Sequence, residues 1–124
     1  MKNQKAVICC ELWEIMVDPE WKTEEPVKRG TVSSEPFVTD HLPRMGETLS
    51  LQDSEGTTVG GVVEEIETRM DFSTCGTYKN EAGVVLQVNS LVLIRLKPLH
   101  VAGGALERFR ENMAALGLKN WQEA

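Results

Sequence analysis

The strongest pattern in the chain lies at residues 84–97. Val84, Leu86, Val88, Val92, Ile94 and Leu96 fall on one face, and Gln87, Asn89, Arg95 and Lys97 fall on the other. That period of two belongs to a strand with one buried side. A strand this long has to twist or bend, so its neighbours must follow a curve. Pro98 has no N–H to give to a ladder and is expected to end the strand.

Other segments supply those neighbours. In residues 5–17, Ile8, Cys10 and Leu12 share a face, after which Trp13 and Ile15 are apolar while Glu14 is not. A bulge around residues 11–13 would account for that change of phase. Asp18-Pro19 ends this strand. Residues 20–35 are polar and charged and read as a long excursion, with an irregular hairpin at 27–32. Residues 36–39 read as a short edge strand, and Pro43 with Gly46 marks a turn. Residues 48–52 and 57–72 form a hairpin about the turn at 53–56, the second strand placing Ile66, Thr68, Met70 and Phe72 inward. Glu64 shares their parity, so it is a candidate for burial. Residues 73–83 read as a polar loop.

Gly103-Gly104 precedes the one helical pattern, residues 105–116, where Leu106, Phe109, Met113 and Leu116 form an apolar stripe and Gly117 is placed to cap the end. These elements make a mainly β (α+β) single domain over residues 1–124. The expected architecture is a bent antiparallel meander forming a small, partly open SH3-like barrel or a curved sheet, with a C-terminal amphipathic helix covering an open edge or end.

Composition narrows the function. Nineteen acidic and thirteen basic residues give a formal charge of −6, which disfavours a nucleic-acid binder, since that needs a basic surface to replace phosphate counterions. The apolar stretch near the N-terminus ends at Glu11, too early for a signal peptide, and no run has the length of a membrane span. A cytoplasmic location with no membrane partner is the expectation. Three cysteines, two of them adjacent and so directed to opposite faces, read as reduced thiols.

No motif for chemistry stands out. There is no C-x-x-C, H-x-x-x-H or H-E-x-x-H spacing, so no metal ligands are assigned. Nothing places a cysteine beside His41 or His100, so no catalytic residues are assigned, and no cofactor is expected. The backbone N–H groups at Gly103-Gly104 could meet an anion at the start of the helix, although two glycines also suit a joint that folds the helix back. Trp21, on the loop after Asp18-Pro19, is the most suggestive of the aromatics outside the core stripes. It could be a ligand platform or a plug for the barrel end.

If the strands run as a meander, the turn at 41–46 and the loop at 73–83 share one end. That end would gather His41, Arg44, Cys75, Tyr78 and Lys79 into a ligand-binding group suited to a small anion or an acidic partner. The expected function is a non-enzymatic binding or adaptor module acting through loops at one end. The alternatives are a small enzyme or small-molecule carrier with a barrel cavity, and an oligomeric structural protein. A homodimer is expected, formed by edge pairing or helix contact.

Overall fold

In the computed structural model, residues 4–52, 55–56, 58–81 and 83–124 are described, with side chains at all of these except 73–75, 78, 80 and 85–87. Among the described residues, seven strands and one helix follow one another: β1 (Gln4–Val17), β2 (Glu24–Ser33), β3 (Phe37–Thr39), β4 (Thr48–Gln52), β5 (Thr58–Asn80), β6 (Gly83–Ala102), α1 (Leu106–Ala115) and β7 (Asn120–Glu123). The strands form a curved, open sheet in the order β4-β5-β6-β1-β2-β7, with β3 also pairing to β1.

The middle of that order is not a meander. β1 and β6 run parallel, with Ala6 opposite Val92 and Ile8 opposite Ile94. A parallel pair cannot be joined by a tight hairpin and needs a crossover, which the chain from β2 to β5 supplies. All other ladders are antiparallel.

The inner face carries the core. Ala6, Ile8, Cys10 and Leu12 from β1 meet Val92, Ile94 and Leu96 from β6. Val63, Val32, Met113 and Leu118 join them from β5, β2, α1 and the segment after α1. Met113 is the buried member of the helix stripe, while Leu106 and Phe109 are half-buried against the same cluster. Gly117, at φ +102°, ends the helix as the sequence pattern anticipates.

Several expectations from the sequence are corrected here. The segment read as an excursion at 20–35 holds β2, a ten-residue strand paired along β1 with one register shift. Its Pro26 lies outside the stretch that β7 pairs, so the missing N–H interrupts no ladder on that side. Residues 73–80, read as loop, continue β5 into a hairpin with β6. Pro98 does not stop β6, which runs to Ala102. The register with β1 slips between Cys10 and Leu12, opposite Lys97 and Pro98, and a bulge is where a strand can hold a proline.

Inward alternation in β1 never changes phase. Ladder irregularities do occur near Leu12, but the next inward position is taken by Glu14, which is buried, while Trp13 and Ile15 sit half-buried on the outer face. Glu64 is exposed, because a bulge between Val63 and Glu65 shifts the phase and Val63 turns inward instead. Thr68, Met70 and Phe72 are exposed too: Thr68 stands opposite the buried Val92 but on the outer strand, and Met70 stands opposite the exposed Ser90, past the core residues of β6. The residues proposed for the turn at 53–54 and the strand start at 57 lie outside the described residues.

The last strand had no signal in the periodicity. β7 pairs with β2, setting Trp121 opposite Val32, and the Arg110 guanidinium lies 3.9 Å above the indole ring. Gly30 makes room for it: a Cβ there would sit 2.6 Å from the Trp121 ring and 2.5 Å from the Gln122 carbonyl oxygen. The indole Nε1 is buried with no hydrogen-bond partner among the described residues, so docking rests on apolar burial and the cation–π contact. Deleting residues 120–124 is expected to lower the melting temperature by several degrees, corresponding to about 1–3 kcal/mol of aromatic burial. Gly30→Ala, which fills the berth and leaves the tail, should act in the same direction. Thermal denaturation followed by circular dichroism checks both, and an unchanged curve for the deletion contradicts the docking.

Candidate functional site

The turn between β1 and β2 is tightly specified by hydrogen bonds. Asp18 accepts on Oδ1 from the backbone N–H of Glu20 at 2.8 Å and of Trp21 at 3.1 Å. Its own N–H donates to the Thr23 carbonyl at 3.0 Å, and its carbonyl accepts from the Lys22 N–H at 2.8 Å. Pro19 suits the start of a turn because its φ is already fixed. Lys22 sits at φ +53°, the one described non-glycine residue in the left-handed region, and brings the chain back toward β2.

These bonds hold Trp21 out in water, where it is 75% exposed. It plugs nothing. Val17 and Met16 are exposed on the adjoining end of β1, and Asp18, Glu20, Glu24 and Glu25 outnumber Lys22 about the tip, leaving it acidic. Leaving a large indole in water forgoes the burial that usually stabilises it. A turn that is already ordered loses little further freedom when a partner covers it.

Glu14 anchors the hairpin that carries this tip. One carboxylate oxygen accepts from Arg29 Nε on β2 at 2.9 Å, and the other accepts from the Gly104 backbone N–H at 2.9 Å. The anion that meets the Gly103-Gly104 turn is therefore the chain's own carboxylate. Gly104 adopts φ +84°, and a Cβ on Gly103 would approach the Ile15 carbonyl oxygen to 2.9 Å, so both glycines serve this close approach. The Gly104 N–H, followed by Arg29, holds the Glu14 carboxyl below the usual carboxylate range against the opposing effect of burial.

The residues nominated from the sequence fall as follows. His41 is exposed just past β3, exchanging hydrogen bonds with Thr39: its N–H donates to Oγ1 at 3.1 Å and its carbonyl accepts from Oγ1 at 3.0 Å. Arg44 is exposed in the turn that leads to β4, where Gly46 and Glu47 bond to Val63. Cys75, Tyr78 and Lys79 are on the distal part of β5, and Lys79 is exposed. The registers put His41 and residues 75–79 on the side of the sheet where β1 begins, with β6 and β1 between them.

Of the open hollows on the described surface, two bear on chemistry. One, of about 600 Å³, runs between the end of α1 and β3 and β4, with Ile8, Phe37, Leu51 and Leu116 on its walls. The other, of about 410 Å³, lies on the outer face around Cys9, Lys28, Glu64 and Arg95. Burial pushes the Cys9 thiol above its ordinary value, with Arg95 only partly opposing, which leaves it a poor nucleophile at neutral pH. His100 stands against Trp13, ring centroids 6.1 Å apart. Among the described residues, no group of three or more His, Cys, Asp or Glu could hold a metal ion, and no helix is long and apolar enough to cross a membrane.

Fold and surface together define a mainly β domain that displays a rigid aromatic turn. Compared with family models, curated proteins and solved structures, the chain has no match in any of the three.

The Glu14 clasp makes a pH-dependent contribution of definite sign. A carboxyl whose folded pKa is depressed contributes stability in full above its unfolded value, and that contribution is lost as pH falls through the folded value. Glu14→Gln is expected to melt several degrees lower than the wild type at neutral pH. The gap should close as pH drops through and below the carboxylate range. Melting curves across an acid pH series check this, and a gap that stays constant with pH contradicts it.

Proposed function

We propose that this domain is a non-enzymatic binding module that engages a protein partner through the Trp21 turn. The observation that carries the reading is an indole 75% exposed on a turn whose backbone is already hydrogen-bonded. Tryptophan is the residue type most enriched where single side chains dominate an interface. The acidic balance of the tip, Asp18, Glu20, Glu24 and Glu25 against Lys22, fits a partner whose apolar pocket is rimmed by basic side chains, and it would be repelled by an anionic membrane surface. Against an enzymatic reading stand the raised Cys9 thiol and the openness of both hollows, neither of which excludes water from a reacting group.

The test is affinity capture with the immobilised domain, identification of what is retained, and titration of the purified partner. Trp21→Ala should raise Kd by about thirtyfold, the equivalent of roughly 2 kcal/mol for a hot-spot residue. It should leave the melting temperature within a degree or so of the wild type, because an exposed side chain supports no core. Equal binding by Trp21→Ala would overturn the assignment, as would turnover in a broad hydrolase and transferase panel that a single substitution abolishes.

A further inference from the structure

The outer edge of β5 is the feature that the binding role of Trp21 leaves unexplained. β4 pairs with β5 only from Thr58 to Val62, and its lead-in reaches Val63. From Glu65 onward no strand pairs with that edge among the described residues, although β5 continues to Asn80. The outermost strands of the sheet are short, β4 with five residues and β7 with four, and the stretch of β6 before Val92 is likewise left unpaired on its β1 side among the described residues. Monomeric proteins blunt a long edge with proline, inward-pointing charge or a covering loop. This stretch has no proline, and its inward side carries Thr68, Met70 and Phe72, with Met70 and Phe72 61% and 60% exposed.

Backbone direction shows how the edge can be used. The inward-facing Val63 donates its N–H to the Glu47 carbonyl and accepts from the Gly46 N–H, both on the β4 side. In an L-peptide strand, side chains on one face belong to residues whose N–H and C=O groups point to one edge. Met70 pairs with Ser90 just as Thr68 pairs with the buried Val92, so these residues face the same way as Val63. Their N–H and C=O groups point to the edge that β4 has left.

We infer that this edge pairs with its own copy, joining two chains into a homodimer through antiparallel β5 strands related by a twofold axis at Met70. Among axes at Thr68, Arg69 and Met70, the charge pattern favours the last. With the axis at Met70, Arg69 stands opposite the second copy's aspartate at position 71, and the reverse pair repeats across the axis. An axis at Arg69 would oppose two arginines, and Glu67 to Asp71. An axis at Thr68 would oppose Glu65 to Asp71. Directly opposed like charges are destabilising in a sheet, whereas opposite charges and packed apolar pairs are favourable. On the inner side, Met70 meets its symmetry mate and Phe72 meets Thr68 of the second copy, so two exposed apolar side chains per chain become covered. Arg69 already reaches Glu67 at 3.1 Å, which holds its guanidinium along the outer face beside this edge.

Sedimentation equilibrium at micromolar concentrations tests the assignment. The wild type should be a dimer. Met70→Lys, which sets two like charges face to face on the axis, should give a monomer with unchanged circular dichroism. R69D and D71R alone should each weaken the dimer about tenfold, and the double exchange should restore it. Should Met70→Lys fail to fold, the charge exchange decides alone. A monomeric wild type overturns the dimer. A dimer that survives Met70→Lys, or single charge variants that leave it unchanged, overturns the edge and its register. The Trp21 surface lies at the far end of β1, so its own test stands whichever way this one falls.

Discussion

The parallel contact of β1 with β6 is the constraint on which the other elements depend. Ala6, Ile8, Cys10 and Leu12 alternate inward on one strand, and Val92, Ile94 and Leu96 do so beside them. Together they form the floor of the core. The other elements attach to this pair, directly or through β2 and β5, or cover it. β2 and β3 line the free side of β1, β5 lines the free side of β6, and α1 lays Met113 across the floor. A parallel pair needs a long crossover, which explains why more than half of the chain lies between the two strands that meet at its centre.

The same constraint explains what is left exposed. β6 begins well before the residues that meet β1, so β5 and the first part of β6 run past the core as a two-stranded ribbon. Such a ribbon is marginally stable in water without further cover, and Met70, Phe72 and Val84 are exposed along it. At the other end of β1 the Asp18 turn projects Trp21. The two exposed apolar features thus lie at opposite ends of one sheet. Glu14 ties the Trp21 hairpin to the start of α1, which links that tip to the core.

Much of this was legible in the sequence where a periodicity reports burial directly. The strand at β6, the helix with its Gly117 end and the small strand β4 follow from spacing alone. Glu14 was missed because an acidic residue in an apolar alternation looks like a change of phase. Its partners, Arg29 and Gly104, are distant in sequence and only the fold brings them together. Glu64 was misread because a bulge shifts parity without any mark in composition. The proline that seemed to end β6 falls at another bulge. β7 offers one apolar residue in four, and its strand character comes from the edge of β2 that receives it. The neighbours of a strand are a matter of topology, which alternation does not encode, so the parallel pairing and the ends assigned to loops lay beyond a reading by pattern. Trp21 could be singled out as a costly loop aromatic, but whether it plugged the sheet or faced water required the Asp18 hydrogen bonds.

Native-state hydrogen exchange measures the central claim most directly. If β1 and β6 form the floor on which the rest assembles, the amides of residues 6–12 and 92–96 should exchange only through global unfolding, and with a common free energy. The amides of residues 76–80 and 83–88, on the ribbon, should exchange orders of magnitude faster. Core protection confined to the β1–β2 hairpin, with residues 92–96 exchanging as fast as the ribbon, would contradict the account.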